Sequence, residues 1–303
     1  MPDSIERVRI ATFNVLHGRP RDDCPPASRA ASSPPWAPFA EVVASLDADI
    51  LALQELDRFQ QRSGDVDQAR VAAEAMGATD WRYASALHGR AVPGVGWVRD
   101  QREPGLRAYG PQDTALPDCP SHGIALLTRL PVIAWRARRL APAPTGMPLR
   151  VVGRRGLTMV RDQPRAAIAA VLEGPRGPYT VVATHLSFVP GWNLGQLAAL
   201  RHWIADQPRP HLLLGDLNLI GPLPRTLLAG AELADAVRQR GRLEHYWHDL
   251  AQIRSYPAQR PAVQFDRLLA AGVPTSAVRA VYAPRTPISD HRPVVVDLRV
   301  GTD

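Results

Sequence analysis

Short apolar runs that finish in a polar residue recur along the chain. Residues 7–13 (RVRIATF) alternate and end at Asn14, 49–54 (DILALQ) end at Glu55, and 179–184 (YTVVAT) end at His185. Residues 211–215 (HLLLG) end at Asp216, and Ser289-Asp290-His291 precedes the run 293–298 (PVVVDL). Apolar runs of this length, bounded by turn residues, predict strands buried in a sheet. Helical periodicity lies between them. Phe39, Val42, Val43 and Leu46 fall at i, i+3, i+4 and i+7, which predicts a helix over 38–46. A second helix is expected over 67–76, closed by Gly77. A third is expected to be capped by Asn193, with Leu197, Leu200 and Ile204 as its buried stripe. Strands mixed with helices in this way predict an α/β protein.

Two stretches carry neither pattern. Residues 19–38 are rich in Pro, Ser and Ala, and 88–121 are rich in Gly and Pro with Trp97 and Tyr109 among them. Both are expected to be irregular loops, the second a long insertion. There is no internal repeat and no evident linker, so 303 residues are compatible with one large domain or two small ones. No run approaches the roughly 18 apolar residues of a membrane span. The segment MPDSIE lacks the basic-then-apolar order of a signal peptide. A cytoplasmic protein with no stable membrane insertion is the expectation.

Composition changes this picture little. A hydrophobic fraction of 45% and a charged fraction of 21% are those of an ordinary soluble protein. Cys24 and Cys119 are too few and too far apart for a metal-type spacing, and two free thiols are expected. The net charge of +7 points toward an anionic partner such as nucleic acid. That signal is diluted, because every basic residue is Arg and the arginines are scattered, Arg138-Arg139 and Arg154-Arg155 being the densest pairs.

Candidate chemistry collects at the strand ends. In Gly215-Asp216-Leu217-Asn218, extended geometry would put the carboxylate and the amide on one side. The first suits activation of water or a cation, the second a phosphoryl oxygen; Asp and Asn are also ordinary turn residues. Asp290 can supply an oxygen to a hard cation such as Mg²⁺, beside His291 as acid–base partner, or His291 can be a satisfied interior histidine. Glu55 after an apolar strand is costly unless it reaches an open sheet end or a cation. Asn14 and His185 each say less alone. Together, five separated strand ends present Asn, Glu, Asp or His, and such ends can converge on one rim.

The ordered series Thr12-Phe13-Asn14-Val15, Leu53-Gln54-Glu55, Gly123-Ile124-Ala125-Leu126-Leu127-Thr128-Arg129, Thr184-His185-Leu186, Gly215-Asp216-Leu217-Asn218, Phe265-Asp266-Arg267-Leu268 and Ser289-Asp290-His291 resembles the motif series of the endonuclease/exonuclease/phosphatase superfamily. The resemblance spans residues 8–298. It implies a single domain over 1–303, a four-layer α/β sandwich of two packed mixed sheets flanked by helices. It implies Glu55 as the principal metal ligand, with Asn14 and Asp290 beside the metal, and Mg²⁺ (or Mn²⁺) as the cofactor. It further implies Asp216 as the carboxylate that orients or deprotonates water and Asn218 as a phosphate-binding amide. His291 would stabilise or protonate the phosphoryl group, Asp266 would fix its tautomer, and His185 would be a second phosphate-facing histidine. Such a set neutralises phosphoryl charge and positions water for in-line attack. Ile124 stands where many relatives carry Asn, and 88–121 has no assignable counterpart.

A metal-dependent phosphodiester hydrolase acting on nucleic acid is therefore expected. The alternatives are a phosphoesterase for phospholipids or small phosphorylated metabolites, and a catalytically silent binding module of the same fold. Trp97, Tyr109, Phe188 and Trp192 either line a groove or pack loops. Arg19, Arg21, Arg129 and Arg165 either reach a phosphate or are scattered surface charge, and in both cases the second reading is preferred.

Overall fold

A computed structural model of the chain describes residues 6–21, 34–102, 105–113, 119–149, 156–238 and 246–300. Cys24, Arg154-Arg155 and parts of both expected loops (22–33, 103–104 and 114–118) lie outside the described residues.

In chain order the strands begin β1 (Glu6–Asn14), β2 (Ile50–Arg58), β3 (Asp80–Val92), β4 (Gly96–Arg99), β5 (Arg107–Tyr109) and β6 (Ser121–Thr128). They continue β7 (Val132–Leu140), β8 (Gly146–Leu149), β9 (Thr158–Arg161), β10 (Arg165–Leu172) and β11 (Tyr179–His185). The last are β12 (His211–Asp216), β13 (Trp247–Asp249), β14 (Asp266–Ala271), β15 (Val278–Tyr282) and β16 (Val294–Val300). The helices are α1 (Ala37–Leu46), α2 (Gln68–Met76), α3 (Trp192–Trp203) and α4 (Leu223–Arg238). An eight-stranded sheet has the order β15-β16-β1-β2-β6-β3-β4, with β5 also on β3. A six-stranded sheet has the order β13-β14-β12-β11-β10-β7, and β8 and β9 form a separate ribbon.

Three apolar layers hold these parts as a four-layer α/β sandwich. Phe39, Val42, Val43 and Leu46 of α1 pack with Phe13, Leu51 and Leu53 on one outer face. Ile10, Ile50, Ala52, Ile124 and Leu126 meet Ile168, Val181, Leu212, Leu214 and Leu268 between the sheets. Leu197, Leu200 and Ile204 beside α3 pack on Leu213 and Leu269 on the other outer face. Leu212 and Leu214 thus face one layer while Leu213 faces another. Strands buried on both faces must be apolar at every position, which is why HLLLG reads as a continuous run.

Local expectations meet three corrections. The helix at 192–203 is not capped by Asn193, because Gly191 occupies the cap position; Asn193 lies within the first turn and donates from Nδ2 to Asn218 O at 2.9 Å. The stretch 88–121 is only partly irregular, since β3 runs on to Val92 and folds back through β4 as a hairpin. Glu55 does not end its strand: β2 continues to Arg58. Asp67, by contrast, caps α2 through Ala69 N and Arg70 N, and Gly77 closes it at φ +68°. No helix of the described residues is long and apolar enough to cross a membrane.

Candidate active site

Two rungs of the ladder assemble the rim. On the six-stranded sheet, His185 ends β11, Asp216 ends β12 and Asp266 starts β14, and the three are direct cross-strand neighbours. On the eight-stranded sheet, Asn14 ends β1 opposite Gln54 of β2. The next residue, Glu55, is extruded: the register with β6 shifts between Gln54 and Leu56, and Glu55 has φ +58°. A β-bulge there keeps Leu53 and Leu56 in the same outer core layer although they are three residues apart. The extra residue is thereby freed from the alternation and turned to the rim.

Asn14 bridges the sheets. Its Nδ2 lies 3.1 Å from Glu55 Oε1 and 3.1 Å from Asp216 Oδ2, while its Oδ1 accepts from Leu16 N at 3.1 Å. The C-terminal loop is fastened beside it. Ser289 Oγ donates to Asn14 O at 2.6 Å and accepts from His291 N at 3.1 Å. This brings His291 between two carboxylates, with Nδ1 2.8 Å from Asp266 Oδ2 and Nε2 3.8 Å from Asp216 Oδ2. Ligand atoms of Asp216, Asp266 and His291 all lie within 4.8 Å of one another. Ser255 also donates to Asp266 Oδ2, and the Tyr256 ring packs 4.8 Å from the His291 ring.

Asn218 reaches the rim by a different geometry from the extended one expected. Its φ is +50°, and its N–H donates to Asp216 Oδ1 at 2.9 Å, so the two residues form a turn. Its Nδ2 lies 3.1 Å from Leu186 O and 3.3 Å from His185 Nε2. His185 Nε2 is in turn 3.6 Å from Asp216 Oδ2. Asp290 is the sequence neighbour of His291, and its carboxyl feels the charge of Glu55.

The charges at this rim are strongly displaced. Burial alone would lower His291, but Asp266, Asp216 and Asp290 raise it above the usual histidine range, so the ring is an imidazolium at neutral pH. Burial raises Asp216, and His291 only partly offsets this. Burial and Glu55 raise Asp290 as well. Burial would raise Glu55, but His122, Asn14, Arg165 and His291 together hold it below the usual carboxylate range. Burial, then Arg165, His122 and His291, drive His185 well below its ordinary value, leaving a neutral ring.

All eight residues singled out in the sequence thus come to one rim. Others there were passed over. Arg165, set aside as scattered charge, places Nη1 3.0 Å from His185 Nδ1, whereas Arg129 binds Met76 O and Asp47 far from it. Tyr256 and Ser255 follow no motif. His122 immediately precedes Gly123 and was the one signal available in advance. Ile124 is buried between the sheets. Tyr109 packs in the core on Tyr83, and Trp192 donates to Ala141 O.

A model of the Endonuclease/Exonuclease/phosphatase family matches residues 11–291. Among solved structures, an endonuclease/exonuclease/phosphatase from Bacteroides vulgatus aligns over 97% of this chain and 99% of its own, at 17% identity and TM-score 0.58. One from Beutenbergia cavernae aligns over 97% of this chain and 72% of its own, at 21% identity and TM-score 0.55. A mannosyl-6-phosphatase from Bacteroides thetaiotaomicron aligns over 96% and 99%, at 16% identity and TM-score 0.50. None of the curated proteins matches. At these identities the solved structures speak for the fold alone.

Proposed function

This chain belongs to the endonuclease/exonuclease/phosphatase family, and on that premise we propose that its 303 residues form one domain that hydrolyses phosphodiesters of nucleic acid with a divalent cation. Members of the family are hydrolases acting on phosphoesters. The observation that carries the reading for this chain is His291, an imidazolium set between Asp266 and Asp216 on the rim that Asn14 ties to Glu55.

Glu55 and Asp290, whose charges act on each other, would offer carboxylate oxygens, a hard donor set that fits Mg²⁺ or Mn²⁺. Bound there, the cation supplies charge neutralisation at the phosphoryl oxygens and lowers the pKa of a water. Asn14 orients Glu55 and Asp216 through its amide hydrogens. Asp216 orients the attacking water and accepts its proton, a role suited to a carboxylate whose affinity for protons burial has increased. His291 donates from Nε2 to the phosphoryl group, and Asp266 holds the other ring nitrogen. His185, Asn218 and Arg165 border the remaining phosphoryl oxygens.

The test is hydrolysis of plasmid and single-stranded DNA, RNA, phospholipid vesicles, and sugar and inositol phosphates, with Mg²⁺, Mn²⁺ or chelator. The expected result is cleavage of nucleic acid that needs the cation and disappears in His291→Ala. Cleavage that survives in His291→Ala places the chemistry elsewhere and overturns the reading. Hydrolysis of lipid or metabolite alone keeps the chemistry and replaces the substrate. No hydrolysis of any member leaves a binding module of the same fold or a narrow substrate outside the panel.

A further inference from the structure

A cluster that takes no part in the scheme above flanks Glu55. Asp57, two residues along β2, is fully buried. Arg62 Nε and Nη2 donate to its two oxygens at 2.7 and 2.8 Å, and His122 Nδ1 lies 2.8 Å from Oδ1. Trp97 of the β3–β4 hairpin covers both partners, its ring 5.4 Å from the His122 ring and 5.2 Å from the Arg62 guanidinium carbon. The result is a second carboxylate–imidazole pair on the opposite flank of the rim from Asp266–His291.

The chemistry of this pair differs from the first. Arg62 already donates two hydrogen bonds to Asp57, and His122 Nδ1 is placed to donate a third, to Oδ1. That bond fixes tautomer and orientation and leaves the Nε2 lone pair as an acceptor. Among the described residues Nε2 has no hydrogen-bond partner, and His122 lines one small cavity with Gln163, Arg165 and His185. On β6 it stands directly across from Asp57 of β2, two residues beyond Glu55. Arg165 and His291 are donors suited to phosphate oxygens. A lone-pair acceptor beside them repels a phosphate oxygen and attracts a hydroxyl.

We propose that His122 Nε2 accepts a hydrogen bond from a substrate hydroxyl on the carbon next to the one bearing the scissile phosphate, with Asp57 as its positioning residue. The substrate class that follows is phosphoesters of vicinal polyols, which ribonucleotides and sugar or inositol phosphates share and deoxy analogues lack. This rests on the hydrolase reading of the same rim.

The experiment compares two matched pairs: ApA against dApdA, and glucose 1-phosphate against 2-deoxyglucose 1-phosphate. The kcat/KM ratio within each pair is measured for wild type, His122→Ala and His122→Gln. Asp57 keeps Arg62 in both variants, so both are expected to fold, and thermal melts verify this. Wild type is expected to favour the hydroxyl-bearing member of one pair by about tenfold, which is one neutral hydrogen bond. The responding pair tells RNA from a small polyol. In His122→Ala the ratio falls to near one because the hydroxyl-bearing member loses more than the deoxy member, and His122→Gln, whose Oε1 can accept, restores part of it. An equal fall in both members means disturbance of Glu55, not recognition, and overturns the inference. An unchanged ratio, or a shift only in the Mg²⁺ concentration for half-maximal rate, does the same. If wild type cleaves neither pair, the hydrolase reading is judged separately on the wider substrate panel. Calorimetric binding of adenosine 3′-monophosphate against its 2′-deoxy analogue then decides, with equal wild-type affinities overturning the inference.

Discussion

His291 Nδ1 lies 2.8 Å from Asp266 Oδ2, and both side chains are buried. A carboxylate in that place does two things: it fixes which ring nitrogen carries the outward proton, and it stabilises the imidazolium. Asp266→Asn keeps the shape and removes the charge. We expect kcat to fall about 100- to 1,000-fold with little change in KM, since the contribution is one of proton positioning. His291 is held above its ordinary range chiefly by Asp266 against the effect of burial. The variant should therefore also lose activity at lower pH on the alkaline side than wild type does. Steady-state kcat against pH reads both effects, and an unaltered kcat would remove His291 from the chemistry.

How much of this rim was legible follows from what each residue owes to local pattern. Asn14, His185 and Asp216 end strands buried on both faces, so an apolar run breaking into a polar residue announced them. Glu55 was found for a partly wrong reason. It reads as a strand end because the alternation through Leu51 and Leu53 fails, whereas the failure marks a bulge that lets Leu56 return to the same layer. That spacing of three was visible; its meaning needed the β6 partner. The pair Asp57–His122 joins residues 65 apart and has no local signature at all. Asn193 misled because good capping chemistry one residue inside a helix is indistinguishable, in sequence, from a cap. Arg165 resembled every other arginine until the sheet placed it beside His185.

Gly215 tests how tightly the rung beneath the site is built. It has φ +147°, and a Cβ added there would lie 1.9 Å from Thr184 O on β11. Gly215→Ala must push β11 and β12 apart directly below the paired His185 and Asp216. A loss of about 1–3 kcal/mol is expected for such overpacking, with a larger proportional loss of kcat because Asp216 is displaced. Gly230 in α4 is the control. A Cβ there meets nothing within 4 Å, so Gly230→Ala should stabilise by about 0.5–1 kcal/mol. Urea titrations and kcat of the two variants separate strain at the rung from a general intolerance of alanine.

Asp67 serves two structures at once. It caps α2 through two backbone N–H groups and accepts from Arg58 Nε at 2.9 Å in a pair with almost no exposure. Asp67→Ala removes the cap and the carboxylate partner of the buried Arg58, whose guanidinium also lies over the Phe59 and Tyr109 rings, and up to about 3–5 kcal/mol should be lost. Asp67→Asn retains the capping oxygen and should recover about 1 kcal/mol of that. Equal losses in the two variants would mean that the cap contributes nothing measurable.

His17 gives the clearest dependence of stability on pH. Burial first, then Arg62, lowers its pKa from 6.5 to about 4, so the folded state holds it neutral. The unfolded chain binds a proton at His17 from pH 6.5 downward, and the folded chain does so only near 4. The stabilisation is therefore complete above pH 6.5 and is lost as pH falls from 6.5 to about 4. Its size is at most about 3 kcal/mol, and nearer 2 for a ring that keeps some exposure. His185 is lowered in the same direction and adds to the same window. Asp216 and Asp290 are raised, take up protons in the folded state, and act in the opposite sense. The total curve mixes these, so the difference between wild type and His17→Gln is the quantity to measure, by urea unfolding at pH 7.5 and 4.5. Whatever packing the substitution costs should appear undiminished at pH 7.5 and be offset at pH 4.5 by about 2 kcal/mol. An identical difference at the two values would show that His17 does not titrate in this window.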